Sequence, residues 1–189
     1  MSLEEQIAEP LKRSDFKAAA TLAIQGYGPQ VLGYLTAVLK DEDDARDVFS
    51  QFAEDLWKGL PGFRGECSLR AWAFKLAWHA AARFARDPYR KRGRPIRTTE
   101  VSRLAASIRS MSSLRSGSRG ERILKLREAL DPEEQTLLVL RLDKELPWDE
   151  VAHVLSSERE PVSAPLLRKR FERLRVKLAK MAKDEGLLE

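Results

Sequence analysis

The sequence predicts an all-α protein made of two small helical domains joined by a flexible basic linker, and three observations carry that prediction. Apolar residues recur at helical spacing almost throughout, with no strand-like alternation. Between residues 88 and 120 that pattern lapses into nine basic residues, a single acidic one (Glu100), many serines and few large apolar groups. Charge is also segregated. Residues 1–62 hold 6 basic and 11 acidic side chains, residues 63–119 hold 14 and 3, and residues 120–189 hold 14 and 15. Within the last segment, Arg168 to Lys183 carries eight basic residues against Glu172 alone. Two separated positive zones in an otherwise acidic or neutral chain are the footprint of two contacts with a polyanion. The expected boundaries are 1–92, 93–119 for the linker, with room for some helix around Val101 to Ile108, and 120–189.

In the first domain, Ser14 or Asp15 suits the cap of a helix running to about Gln25. Gly26-Tyr27-Gly28-Pro29 is expected to end that helix and start another, with Pro29 in its first turn. Val31, Leu32, Tyr34, Leu35, Val38 and Leu39 give this second helix an apolar face. Asp41-Glu42-Asp43-Asp44 then places negative charge where a helix dipole favours it. Ala45, Val48, Phe49, Phe52 and Leu56 form one buried stripe of a third helix, and Gly59-Leu60-Pro61-Gly62 stops it. Ser68 is placed to cap a fourth helix, Leu69 to about Arg86. Its expected inner stripe is Leu69, Trp72, Ala73, Leu76, Ala80 and Phe84, with Arg70, Phe74, Lys75, Trp78 and Arg86 on the other side. Asp87-Pro88 breaks it.

Order is expected to return at Glu121, with Ile123, Leu124, Leu126 and Leu130 on a helix that ends at Asp131-Pro132. Asp131 as cap, Pro132 at the first helical position and Glu134 two residues on make a strong start signal. Pro147-Trp148-Asp149-Glu150 opens a short helix through Leu155, and a loop, Ser156 to Ala164, follows. The last helix runs from about Pro165 to Lys183 with Leu167, Phe171, Leu174 and Leu178 as its apolar stripe. A short helix, a loop and a basic helix follow helix-turn-helix logic, in which the second helix enters the major groove.

Several functions fall away on composition. No apolar run approaches the roughly 20 residues needed to span a bilayer, and Met1 to Asp15 lacks the apolar core of a secretory signal, so a cytoplasmic location is expected. One cysteine, Cys67, forbids an internal disulfide. With only His79 and His153 beside it, a Cys/His zinc site has too few ligands, and neither a metal nor another cofactor is expected. Asp41, Asp43, Asp44 and Asp47 could suggest a metal-dependent nuclease. Adjacent acids at a helix start are usually caps, however, and no second carboxylate cluster supports catalysis. An enzyme is not expected.

Two sets of motifs add a family resemblance. Leu146-Pro147-Trp148-Asp149-Glu150-Val151-Ala152 resembles the first helix-turn-helix element of sigma factor region 4. Leu167 to Leu178 resembles its recognition helix, and Leu130-Asp131-Pro132-Glu133-Glu134 resembles the opening of that region. In the first half, Asp43-Asp44-Ala45-Arg46-Asp47-Val48 with Leu56-Trp57 resembles the corresponding helix of region 2. Gly62-Phe63-Arg64-Gly65, with Ser68-Leu69-Arg70-Ala71-Trp72, resembles its loop and next helix start. The chain is therefore similar to the small, extracytoplasmic-function sigma factors of the sigma-70 family. It departs from their usual pattern at Ser50, His79 and Ala82, where Gln, Asn and Asp are common. It also carries about five extra residues, near Ser157 to Pro161, between the two helix-turn-helix elements.

The resemblance implies partners and roles. Core RNA polymerase and promoter DNA would be the partners, with an anti-sigma factor as a further candidate. Asp43, Asp47, Gln51, Glu54 and Asp55, expected on the solvent face of the third helix, would meet the polymerase clamp. The loop Gly62 to Ser68 would accept a flipped base of the −10 element. Phe63, Arg64, Gly65, Arg70, Phe74, Lys75, Trp78, His79 and Arg83 would line that −10 surface, with Phe74 and Trp78 stacking on unpaired bases. Phe63 suits a core plug as well as a stacking surface, Trp72 suits the core, and His79 suits either a DNA contact or a plain surface. Arg168, Lys169, Arg170, Arg173, Arg175 and Lys177 would contact the −35 element. The rival reading is a helix-turn-helix regulator, or a sigma-derived protein that does not itself initiate transcription. It explains the last helix and leaves the region 2-like half unexplained.

Overall fold

A computed structural model describes residues 2–86, 99–110, 126–127, 129–157 and 160–186. Eight α-helices and no strand are present among these residues, in two compact units, 1–113 and 114–189.

The first unit begins with a helix that the hydropathy pattern did not announce, α1 (Leu3–Lys12). Ser2 accepts from the Glu5 N–H, and the Glu5 side chain accepts from the Ser2 N–H, so two orphan donors of the first turn are satisfied reciprocally. Ile7 is fully buried. Asp15 caps α2 (Phe16–Leu39) by accepting from Ala18 N–H at 3.0 Å. The expected break at Gly26–Pro29 does not occur, and α2 runs through it unbroken. The two glycines serve close packing instead. A Cβ on Gly26 would lie 2.2 Å from Leu3 Cδ2, and one on Gly28 would lie 2.5 Å from Ile108 Cδ1. Ala23, Ile24, Tyr27, Val31 and Leu35 stay buried across the segment. That packing outweighs the donor lost at Pro29.

α3 (Glu42–Gly59) starts as expected, with Asp41 accepting from Asp44 N–H at 2.8 Å, and all five stripe residues from Ala45 to Leu56 are buried. A 3₁₀ turn, Leu60–Gly62, ends it. Ser68 accepts from Ala71 N–H at 3.1 Å at the head of α4 (Leu69–Arg86). A fifth helix, α5 (Thr99–Ser110), lies inside the stretch read as a linker, around the Val101 to Ile108 segment for which the sequence allows some helix. Ala105 and Ile108 are buried, and α5 packs on α2 and α3. Two apolar positions in a basic, serine-rich segment suffice because Gly28 leaves a seat for Ile108. The remaining linker positions, the break at Asp87-Pro88, and Ile123 and Leu124 lie outside the described residues.

In the second unit the capping box forms as predicted, with Asp131 accepting from Glu134 N–H at 2.8 Å and Glu134 from Asp131 N–H at 3.2 Å. It opens α6 (Pro132–Leu138), which widens beyond Leu138 so that Lys144 N–H reaches the Val139 carbonyl. Arg127 braces this turn with a fork onto both Asp143 oxygens at 2.7 and 2.8 Å, which raises its pKa. α7 (Trp148–Leu155) and α8 (Ala164–Asp184) follow. Trp148 meets Phe171 edge-on at 5.5 Å while Arg141 covers the Trp148 ring at 5.1 Å. Leu167, Phe171 and Leu174 are buried as predicted, whereas Leu178 is half-buried. The loop between α7 and α8 closes on itself. Ser156 Oγ accepts from Val162 N–H at 2.8 Å and donates to the Val162 carbonyl at 3.2 Å.

Gly33 sits exposed in the middle of α2, with no atom within 4 Å of where a Cβ would stand. Gly33→Ala is predicted to stabilise the first unit by about 0.5–1 kcal/mol, and Ile108→Ala to destabilise it by about 2–5 kcal/mol. Urea unfolding of the two variants checks both. An unchanged midpoint for Ile108→Ala would show that α5 is not part of this core.

Candidate nucleic-acid and polymerase interfaces

The outward surface of α4 depends on which side of the helix is buried. Counting large apolar groups put Phe74 outside, and the structure corrects this. Phe74 is fully buried, edge-on to Tyr34 at 5.7 Å. Ala71, Ala73, Ala77, Ala80 and Ala81 are buried around it. α4 packs on α2 and α3 through these small side chains, and Phe74 is the fully buried ring among them. Trp72, Leu76 and Phe84, placed inside by the pattern, are half-buried. Arg83, Ala85 and Arg86 are exposed near the end of α4, whereas Lys75, Trp78, His79 and Ala82 are half-buried beside the packed side, His79 with its Nε2 atom buried.

The preceding loop is built on glycine. Gly65 has φ +71°, a left-handed conformation that would strain a larger residue. Arg64 and Gly65 are exposed. Phe63 packs on Trp72 at 5.2 Å, and the Trp72 ring lies over the Gly59 backbone, so Phe63 anchors the loop more than it offers a free stacking face. Arg70 is held on both sides. Its N–H donates to Glu4 Oε1 at 3.0 Å, the oxygen that also accepts from Tyr27 Oη–H at 2.7 Å, and its guanidinium donates to Gln30 at 3.3 Å. Sequence reasoning missed Glu4, Tyr27 and Gln30. The Ser2-x-x-Glu5 capping signature was the available sign that an N-terminal helix brings Glu4 there.

On α3, Asp43 and Asp47 are exposed, and Gln51 and Asp55 are half-buried and joined by a 2.8 Å hydrogen bond. Glu54 is only 6% exposed and pairs with Lys58, so it does not belong to the solvent face. The buried arc of α3 is wider than its apolar stripe and takes in Ser50 and Glu54. Asp55 pairs with Arg83 of α4, joining one expected polymerase contact to one expected DNA contact. Among the described residues no group of three or more His, Cys, Asp or Glu converges as metal ligands would. No helix among them is long and apolar enough to cross a membrane.

In the second unit the basic side chains of α8 fall into two sets. Arg168, Lys169 and Arg173 are exposed and make no ion pair among the described residues. Arg170 and Lys177 turn back onto the first turn of α6, Arg170 pairing with Glu133, and Lys177 with Glu134 at 2.6 Å. Arg175 pairs with Glu172 on its own helix. The inserted loop leaves the packing of α7 on α8 intact, since Trp148 still meets Phe171. Of the insertion itself, positions 158 and 159 lie outside the described residues.

Phe74→Ala is predicted to cost about 3–5 kcal/mol of stability, far more than Lys75→Ala at its half-buried position. Denaturant titration of the two variants separates a core residue from a stacking one. Equal, small losses would put Phe74 back on the surface.

The sequence profile described as sigma-70 region 2 matches residues 23–92, which takes in most of α2, all of α3, the Gly62–Ser68 loop and α4. RNA polymerase sigma factor YlaC of Bacillus subtilis (strain 168) is 25% identical over 170 residues, covering 85% of this chain and 92% of that protein. RNA polymerase sigma-H factor of Pseudomonas aeruginosa is 28% identical over 90 residues, covering 45% of this chain and 46% of that protein. The all-helical chain is thus similar to sigma-70 region 2 over residues 23–92, and to a sigma factor over most of its length.

Proposed function

We propose that this chain is a sigma factor that binds core RNA polymerase, recognises −10 and −35 promoter elements and promotes melting of the DNA between the strands. The observation that carries the reading is the region 2 match on α2 to α4, in a chain whose separate second unit ends in a basic helix set behind a short one. Unit 1–113 takes the role of region 2, and unit 114–189 that of region 4. Asp43, Asp47 and Gln51 face the polymerase clamp. Arg64, Gly65, Lys75, Trp78, His79 and Arg86 face the −10 element, with Arg70 held at the loop's exit. Arg168, Lys169 and Arg173 reach the −35 duplex. The protein acts in the cytoplasm, and an anti-sigma factor would regulate it by covering one of these faces.

Melting needs differential binding. Each opened step costs about 1.4 kcal/mol of stacking on average, and a stacked base returns about 1–3 kcal/mol. With Phe74 in the core, the half-buried Trp78, one turn from Lys75 on α4, is the aromatic group taken for that purpose, and the exposed Arg64 of the loop is the cation.

Trp78→Ala and Arg64→Ala are therefore predicted to impair open-complex formation more than closed-complex binding. Both should be nearly normal on a template whose −10 region is mismatched open. Permanganate footprinting on the two templates reads this directly. An equal loss on both would mean that these residues only hold the fold.

A further inference from the structure

We propose that Glu133 and Glu134, on the first turn of α6, are specificity-determining residues. They hold Arg170 and Lys177 away from DNA and repel phosphate from one flank of α8, so that only one docking register is favourable. This inference rests on the reading of α8 as the helix that enters the −35 duplex.

The two basic sets on α8 differ in their partners. Lys169 projects from the side opposite the buried Leu167, Phe171 and Leu174, and Arg173, four residues on, stands at the rim of the groove facing α6 but is exposed and in no ion pair among the described residues. Arg170 and Lys177, seven apart, lie on the flank facing α6, where both are in ion pairs. The flank is an open groove of about 280 Å³ walled by Asp131, Glu133 and Glu134 on one side and by Arg170, Arg173 and Lys177 on the other. Glu134 is fixed in place by its own helix, because the oxygen that takes Lys177 also accepts from Asp131 N–H at 3.2 Å.

These pairs are too exposed to matter much for stability. Arg170 and Glu133 side chains are 40% and 51% exposed, and Lys177 and Glu134 are 44% and 27% exposed. Their consequence is the placement of charge. A long basic side chain left free beside a major groove takes any phosphate within reach, irrespective of sequence. Neutralised by a carboxylate, it adds nothing to non-specific affinity. A pose that swings the DNA backbone toward α6 has to break these pairs and bring phosphate against the bared carboxylates, which penalises it. Discrimination by a built-in repulsive element is a general route to specificity.

The test uses full-length chain in complex with core polymerase. One probe is a duplex enriched by that wild-type complex from a randomised library, and the other is the same duplex with its sequence shuffled. Binding of each is followed across a salt series. For Glu133→Gln/Glu134→Gln, we expect tighter binding of the shuffled duplex, a salt slope steeper by about one to two, and a reduced ratio of selected to shuffled affinity. For Arg170→Ala and Lys177→Ala we expect an unchanged slope, and for Arg173→Ala a slope shallower by about one. A destabilised fold loses affinity, so tighter binding by the double Gln variant is not a result that unfolding can mimic. If Arg173→Ala shifts the slope while the double Gln variant leaves slope and ratio as in wild type, the inference is overturned and the reading of α8 stands. Arg170→Ala lowering the slope as Arg173→Ala does would overturn it equally. If no α8 variant shifts the slope, the helix is not the DNA-facing element, and both fall together.

Discussion

The seat of Phe74 against Tyr34 is the contact on which the first unit's surface chemistry depends. A helix of 18 residues can present any of its sides, and the buried arc fixes which. Here the arc is mostly alanine, and Phe74 is the fully buried ring among those small side chains, where α4 packs on α2 and α3. Once Phe74 points inward, Arg86 points out and Lys75, Trp78 and His79 lie half-buried at the rim. The Arg83–Asp55 pair ties α4 to α3. Glu4 adds a third attachment at the head of the helix, where it accepts from Arg70 N–H and from Tyr27. The loop at Gly65 is thus suspended between two fixed points, the 3₁₀ turn at Leu60–Gly62 and the capped start of α4.

Much of this was legible in the sequence, and the failures share a cause. Asp41, Ser68 and Asp131 act as caps where short polar side chains precede apolar runs, because capping is a local interaction and leaves a local signature. The stripe from Ala45 to Leu56 is buried because it is periodic over several turns. The break expected at Gly26–Pro29 and the orientation expected for α4 both misjudged small residues. Gly28 signals a turn locally, yet in the fold it is the floor of a seat for Ile108, which arrives from 80 positions later. The alanines of α4 carry little weight in a hydrophobicity count, yet they make up most of its buried side. Such roles depend on partners distant in the chain, and no local pattern encodes them.

The same division holds for the candidate interfaces. Sequence alone located the basic helix and named its cations, but could not say that Glu133 and Glu134 lie across from Arg170 and Lys177. A basic helix is one feature in composition and two in space: a set of cations offered outward and a set already answered. On α3 the acidic residues divide likewise, with Asp47 exposed, Asp43 exposed but paired with Arg46, and Glu54 and Asp55 committed to Lys58 and Arg83. In both units the charges left open are fewer than the charges counted, which narrows the surface through which a polymerase or a promoter can act.

The most direct test of sigma factor function is transcription reconstituted from purified core RNA polymerase and this chain on fragmented genomic DNA, with the 5′ ends of the transcripts mapped. The account predicts discrete start sites that depend on the chain, preceded by two shared sequence elements at a fixed spacing. Binding to core polymerase without any chain-dependent start, or specific DNA binding that needs no polymerase, would contradict it.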